Sequence, residues 1–298
     1  MGTADVIAIG TSFCTTCAMI PLILWFARKH ELYDPLGPLK IHTAPTPRLG
    51  GIGITAGLLS GTIVSGGVAR SLAVYLSVLL VWVAGLIDDL FGLSPWVRLI
   101  IQAAAGVLIW LAGWSAPVGH AGWNLLATVL LIVAFINAMN MLDGADGLAA
   151  GVSGIIALGF IFSTSHVGAS VRPLEFSLVG CCIGFLMFNF PPAKIFMGDS
   201  GSTVLGFALA VLALNFYRQK PVNHVSALVP LLFAAVPLLD AVFAVMRRLR
   251  RGTSPFTGDR EHSYDLLLQR GWSARKVAFC LYALTAALVS GGLFFNTF

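Results

Sequence analysis

Long apolar stretches broken by short polar segments dominate this chain. Runs of about 17–25 largely uncharged residues recur from one end to the other, each long enough to cross a hydrocarbon layer as a helix. The runs are continuous rather than alternating, which disfavours a membrane barrel. The pattern predicts an all-α, polytopic integral membrane protein of about ten transmembrane helices, near 5–27, 50–68, 71–88, 97–113, 124–141, 148–164, 174–190, 201–217, 226–246 and 275–296. The longest polar segment, Arg247 to Ser273, is too short to fold alone, so residues 1–298 read as a single transmembrane domain. The first run lacks a basic lead and exceeds a signal-peptide core, and reads as a retained helix.

Composition agrees. Charged residues make up 10% of the chain, hydrophobic residues 57%, and the mean hydropathy is +0.88; soluble domains carry roughly 25% charged residues. The net charge of +5 does not point to nucleic acid, because the basic residues sit in loops. Of the 18 Lys and Arg residues, all but Arg70, Arg172, Arg218 and Lys220 follow the first, third, fifth, seventh or ninth run. The positive-inside rule makes that face cytoplasmic and both termini external. The external loops then hold little besides His120, His166, Glu175 and His224, and the three histidines read as solvated loop residues. Cys14, Cys17, Cys181, Cys182 and Cys280 fall inside apolar runs and read as small packing residues.

In so apolar a chain the 13 acids are informative, because a carboxylate at a membrane boundary is costly to desolvate. Asp88-Asp89 ends the third run and reads as a solvated pair or a cation site, or as an interfacial stop signal. Asn140-Met-Leu-Asp143-Gly-Ala-Asp146-Gly follows the fifth run. Its two acids are three apart and would share a helical face, suited to a metal, a sugar hydroxyl or a base; capping by Asp146 explains one acid but not both. Phe196-Met-Gly-Asp199-Ser-Gly-Ser202 precedes the eighth run, where a helix N-terminus with small residues suits a phosphate-bridged cation as well as a plain cap. Asn189 would lie near the same surface. All three blocks fall on the expected cytoplasmic face. Lys40, His42 and Arg48, in a loop stiffened by prolines, are candidate contacts for a nucleotide or phosphate, and Gly50-Gly51 would let the second helix approach its neighbours. Arg260 and His262 are candidates for holding a phosphate, although their loop, read alone, is an ordinary charged one. The cluster from Arg247 to Arg251 reads as a topology anchor that touches anionic lipid.

Together these blocks resemble the polyprenyl-phosphate N-acetylhexosamine-1-phosphate transferase family. The matching segments run in family order: His42-x4-Pro47-x2-Gly50-Gly51, Asp88-Asp89, Asn137-Ala-x-Asn140-x2-Asp143-Gly-x-Asp146-Gly-Leu, Asn189-x-Pro-Pro-Ala-x2-Phe196-Met-Gly-Asp199-x-Gly-Ser, and Asp259-Arg260-x-His262. The resemblance implies transfer of a sugar-1-phosphate from a UDP-N-acetylhexosamine to undecaprenyl phosphate, with release of UMP, at a bacterial inner membrane. It implies Mg²⁺ or Mn²⁺ as cofactor with Asp199 as its ligand, and Asp88 and Asp89 serving the lipid phosphate, Asp88 as base. Asn140, Asp143, Asp146, Asn189 and Phe196 would line the nucleotide-sugar pocket, with Phe196 stacked on uracil, while Arg260 and His262 would contact the pyrophosphate. The catalytic set is then Asp88, Asp89, Asp199 and His262. Expected partners are the two substrates and the bilayer, with a homodimer as the candidate assembly and no nucleic acid. The last loop departs from the family pattern by keeping one histidine, followed by Ser263, Tyr264 and Asp265. It looks like the subgroup that starts O-antigen chains with FucNAc or QuiNAc, which leaves a GlcNAc-, FucNAc- or QuiNAc-type donor and counts against the alternative role in peptidoglycan synthesis. An ion-coupled transporter is the rival from another class; it would need mid-membrane acids and paired broken helices.

Overall fold

The computed structural model describes residues 1–33, 45–66, 72–164, 171–219 and 226–296. Among them there is no β-strand, and twelve α-helices follow one another: α1 (Thr3–Lys29), α2 (Gly50–Val64), α3 (Leu72–Phe91), α4 (Pro95–Leu111), α5 (Ala121–Leu142), α6 (Leu148–Ser163), α7 (Arg172–Asn189), α8 (Gly198–Gln219), α9 (Val229–Phe233), α10 (Ala235–Arg250), α11 (Ser263–Gln269) and α12 (Ala274–Phe295). Local chemistry sets several boundaries. Ser94 caps α4 by accepting from Val97 N at 3.4 Å, with Pro95 behind it in the first turn, and Ser273 caps α12 by accepting from Lys276 N at 3.3 Å.

Helices occupy all ten stretches expected from the apolar pattern. By length and composition, α1, α3, α5, α8 and α12 can each cross a membrane; α2, α4 and α6 are apolar but shorter. The ninth stretch is not one straight helix. Its two halves, Ser226–Phe233 and Ala235–Arg250, meet at 77°, and together they form a possible sixth span. Pro237 supplies the reason: it has no N–H for the carbonyl of Phe233 and its ring would crowd that carbonyl, so the helix breaks at Ala234. The short α11 lies in the segment expected to be polar loop.

The central element is α8. Its apolar window is 94% buried, against 28–39% for the other four long helices. It packs against α2, α3, α5 and α6, and Gly201, Ser202, Thr203, Gly206, Ala208, Ala210 and Ala213 keep its surface low enough for close approach. The outer helices instead expose large apolar side chains, among them Leu22, Trp25, Leu76, Leu130, Phe279 and Leu284, as a lipid-facing surface requires.

The opposite end of the bundle corrects one expectation. Glu175 does not belong to an external loop; it lies in the first turn of α7, fully buried, and accepts from Thr164 Oγ1 at 3.4 Å. Arg172 explains the inward placement: it clamps Asp5 of α1 through two bonds of 2.8 Å and draws the start of α7 into the bundle. His120 is exposed as expected, at the start of α5. Arg70, Lys220, His166 and His224 lie outside the described residues.

Candidate active site

The ends of α3 and α5 meet the start of α8 at one end of the bundle, and this brings the acidic blocks together. Close packing at that junction depends on Gly85 of α3, where an added Cβ would lie 2.6 Å from Ser200 Cα. Gly198, at the start of α8, has φ +73°, and a Cβ there would also meet Asp89 Oδ2 at 2.6 Å.

Asp88 and Asp89, adjacent in sequence, have different surroundings. The Asp89 side chain is 1% exposed. Its Oδ1 accepts from Asp199 N at 2.7 Å and Arg48 Nε at 3.0 Å, and its Oδ2 accepts from Ser200 N at 3.0 Å and Ser200 Oγ at 2.7 Å. It therefore satisfies the free N–H groups of the first turn of α8 from another helix. Asp88 faces the other way: Oδ1 accepts from Leu93 N at 2.6 Å, Oδ2 from Arg98 Nη1 at 2.9 Å, and its carboxyl is in contact with that of Asp199.

Asp199 is the hub. Its Oδ1 accepts from Asn140 Nδ2 at 2.7 Å, while Oδ2 lies 3.5 Å from Arg98 Nη1 and 3.6 Å from Arg48 Nη2. Asn140 also donates to Ser202 Oγ at 3.1 Å. A cleft of about 380 Å³ opens beside this group; Asp88, Arg98, Asn140 and Asp199 line it, together with Val81 and Ala84, two turns and one turn below Asp88, and Ile101 of α4. A charged end and an apolar flank suit an amphiphile with an anionic head.

Asp143 follows α5 at the edge of the cluster and is partly accessible. Burial pushes its carboxyl well above the usual carboxylate range, and the negative charges of Asp199 and Asp89 add to the effect. Asp146 accepts from Ala193 N at 2.9 Å and so ties the α5–α6 turn to the segment before α8. Asn189 does similar work: its Oδ1 accepts from Gly147 N at 2.9 Å and its Nδ2 donates to Ile195 O at 2.8 Å. With both ends of the amide bonded to backbone and the residue 3% exposed, Asn189 holds the pocket wall rather than facing a ligand. Phe196 is half-buried, and its backbone links Pro47 O (2.8 Å) to Gly50 N (2.9 Å), which brings α2 and Arg48 against the start of α8. Lys40 and His42 lie outside the described residues.

The histidine loop docks nearby without joining the acidic cluster. His262 is buried, with Nδ1 2.6 Å from Asp240 Oδ2 and Nε2 3.8 Å from Asp259 Oδ1. Arg260 Nε donates to Asp265 Oδ1 at 3.0 Å. Burial raises the Asp265 carboxyl above its usual range despite Arg260, whereas at Asp259 the Arg248 guanidinium outweighs burial and lowers it. The loop reaches the cluster through Tyr264, whose hydroxyl donates to Met141 O at 3.3 Å and covers Gly144. Far from being only topology anchors, Arg247 and Arg248 pair with Asp259, and Arg251 pairs with Glu261.

Two residues of this region escaped the sequence reading. Arg98 was counted only for topology, yet it reaches both Asp88 and Asp199. Asp240 lies within the ninth apolar run, and a lone acid in such a run was itself a signal.

Comparison with known proteins agrees with the geometry. The model of glycosyl transferase family 4 matches residues 71–217, which carry Asp88, Asp89, Asn140 and Asp199. A Bacillus subtilis protein described as a probable undecaprenyl-phosphate N-acetylglucosaminyl 1-phosphate transferase is 34% identical, over 94% of this chain and 81% of its own length. An Escherichia coli undecaprenyl-phosphate alpha-N-acetylglucosaminyl 1-phosphate transferase is 32% identical, over 96% and 83% respectively. A Mycobacterium tuberculosis decaprenyl-phosphate N-acetylglucosaminephosphotransferase is 35% identical, over 86% and 74%. With the same acids converging at one end of a helical bundle, this chain belongs to glycosyl transferase family 4.

Proposed function

We propose that this protein transfers an N-acetylhexosamine-1-phosphate from a UDP-sugar to undecaprenyl phosphate, releasing UMP and starting a lipid-linked cell-surface polysaccharide of the O-antigen type. The names of the relatives make N-acetylglucosamine the first donor to test. The observation that carries the reading is the convergence of Asp88, Asp199, Asn140, Arg48 and Arg98 beside a cleft with an apolar flank. The basic loops support a site facing the cytoplasm of a bacterial inner membrane.

Charge supports a divalent cation. Four acids (Asp88, Asp89, Asp143 and Asp199) stand against two guanidinium groups (Arg48 and Arg98), and both substrates are anionic. Among the described residues no group of three or more His, Cys, Asp or Glu side chains is arranged to hold a metal. That fits Mg²⁺ or Mn²⁺ bound by one or two carboxylates and completed by substrate phosphate and water. Asp199 would be the ligand, with Asp88 in contact beside it. When bound, the ion supplies positive charge to the phosphate oxygens in the transition state.

The residues of the chain do the rest. A lipid phosphate enters along the apolar flank of the cleft, and Asp88 accepts its remaining proton. A phosphate oxygen then attacks the β-phosphorus of the UDP-sugar; a new P–O bond forms as the bond to the α-phosphate oxygen breaks, and UMP leaves. Arg48 and Arg98 stabilise the charge that moves. Asp143 and Asp146, on the turn after α5, and Phe196 face the nucleotide sugar, and His262 and Arg260 approach the pyrophosphate from the docked loop.

The test is a donor panel of UDP-N-acetylhexosamines with undecaprenyl phosphate and Mg²⁺, using purified protein. A lipid-pyrophosphate product with at least one donor is expected; none with any donor would sink the proposal. Asp199→Asn should abolish transfer in a protein that still folds, and retained activity would remove Asp199 from the metal role.

A further inference from the structure

We infer that Asp240 is a positioning residue that sets the ring of His262 for the transfer reaction, an inference that rests on the reading of His262 as a contact to the pyrophosphate. Asp240 lies on α10, beyond the break at Ala234, and is 8% exposed. One carboxylate makes both of the short contacts that define the start of the histidine loop. Oδ2 meets His262 Nδ1 at 2.6 Å, and Oδ1 accepts from Ser263 N at 2.7 Å. Asp240 thus fixes the ring and also supplies the N-terminal cap that α11 does not obtain from His262 itself.

The two ring nitrogens are held unequally. Against the 2.6 Å contact at Nδ1, Nε2 has only Arg248 Nη2 at 3.5 Å and Asp259 Oδ1 at 3.8 Å. Those partners have closer bonds of their own: Arg248 Nε donates to Asp259 Oδ2 at 3.0 Å, and Arg248 Nη1 donates to Pro255 O at 2.7 Å. With Nδ1–H directed at Asp240, Nε2 is the end free to exchange a long contact for the pyrophosphate, to whose oxygen it donates when the ring carries its second proton. The ring is kept in plane by Tyr264, stacked at 5.4 Å and 2°, and Tyr264 is itself anchored to Met141 beside Asn140. Asp240, His262 and Tyr264 therefore form one path from α10 to the end of α5, which carries Asn140 and leads into Asp143.

The experiment is a double-mutant cycle on the full-length enzyme in detergent, with kcat and donor KM measured separately. Asp240→Asn should lower kcat on the order of ten- to a hundredfold, as loss of a carboxylate that orients a histidine does elsewhere, with donor KM little changed. Asp240→Glu should restore part of the rate. In a His262→Ala background, Asp240→Asn should cause no further loss, because its effect passes through the ring. A multiplicative loss in the double variant overturns the positioning role. A His262→Ala enzyme that works at the wild-type rate overturns instead the reading of His262 on which the inference rests.

Discussion

Adjacent aspartates at the end of α3 should respond to the same substitution in different ways. Replacing Asp89 with Ala removes four hydrogen bonds from a side chain 1% exposed. Two of the lost partners are backbone N–H groups of the first turn of α8, and water cannot reach them easily. Loss of a helix cap costs about 0.5–2 kcal/mol, and an orphaned buried donor about 1–3 kcal/mol. Since the two descriptions overlap, the expected loss is about 2–4 kcal/mol. Asp88→Ala removes one backbone bond, from Leu93 N, and an ion pair with Arg98, whose side chain is 32% exposed and can be rehydrated. An exposed pair contributes at most about 1 kcal/mol, so this variant should lose roughly 1–2 kcal/mol once the backbone bond is included. Both should be inactive, Asp88→Ala because it has lost its proton acceptor and Asp89→Ala because Asp199 has lost its seat. Denaturation of the purified variants in mixed SDS micelles, followed by tryptophan fluorescence, ranks their stability. Equal losses, or a larger loss for Asp88→Ala, would refute the assignment of Asp89 to holding α8 and Asp88 to the cleft.

Other consequences can be checked with the same preparations. Arg98→Ala should leave stability within about 1 kcal/mol of the parent, since its pairs are partly exposed, while lowering kcat on the order of a hundredfold by removing a charge from the transferring phosphate; a normal rate would exclude Arg98 from the reaction. Asp143 is an acid whose pKa is raised by folding, so its charged form weakens the folded state as pH rises above the usual value of about 3.9. Asp143→Asn, never charged, should therefore gain in melting temperature over the parent from pH 4 upward, the gain levelling off above the native pKa of Asp143. Melting curves in EDTA-containing buffer from pH 4 to 8 test this, and a difference that does not vary with pH would contradict it.

The sequence made the bundle legible because lipid leaves the chain little choice: a backbone crossing hydrocarbon must bond to itself, and apolar runs of sufficient length become helices. The break in the ninth run was also written there, in Pro237, although the run continues on both sides of it. The placement of Glu175 could not be read in the same way. Its position near the end of a run suggests solvent, and only the clamp between Arg172 and Asp5, far apart in sequence, pulls it inside.

The acids show where residue type ceases to predict task. Asp88, Asp89, Asp143 and Asp199 look alike in sequence, and Asp88 and Asp89 share one helix end. On a helix, successive side chains point about 100° apart, so one of an adjacent pair can cap a neighbouring helix while the other faces an open cleft. Which one does so depends on the rotation of α3 about its axis, fixed by the contact of Gly85 with the start of α8, three and four residues before the pair. The same holds for Asn189 and Asp240. One holds the backbone of the segments on either side of it; the other is a lone acid in an apolar run, whose partner His262, 22 residues on, is brought to it only by the fold. Motifs therefore located the end of the bundle where the acids converge, whereas the division of labour among its carboxylates is a property of helix packing.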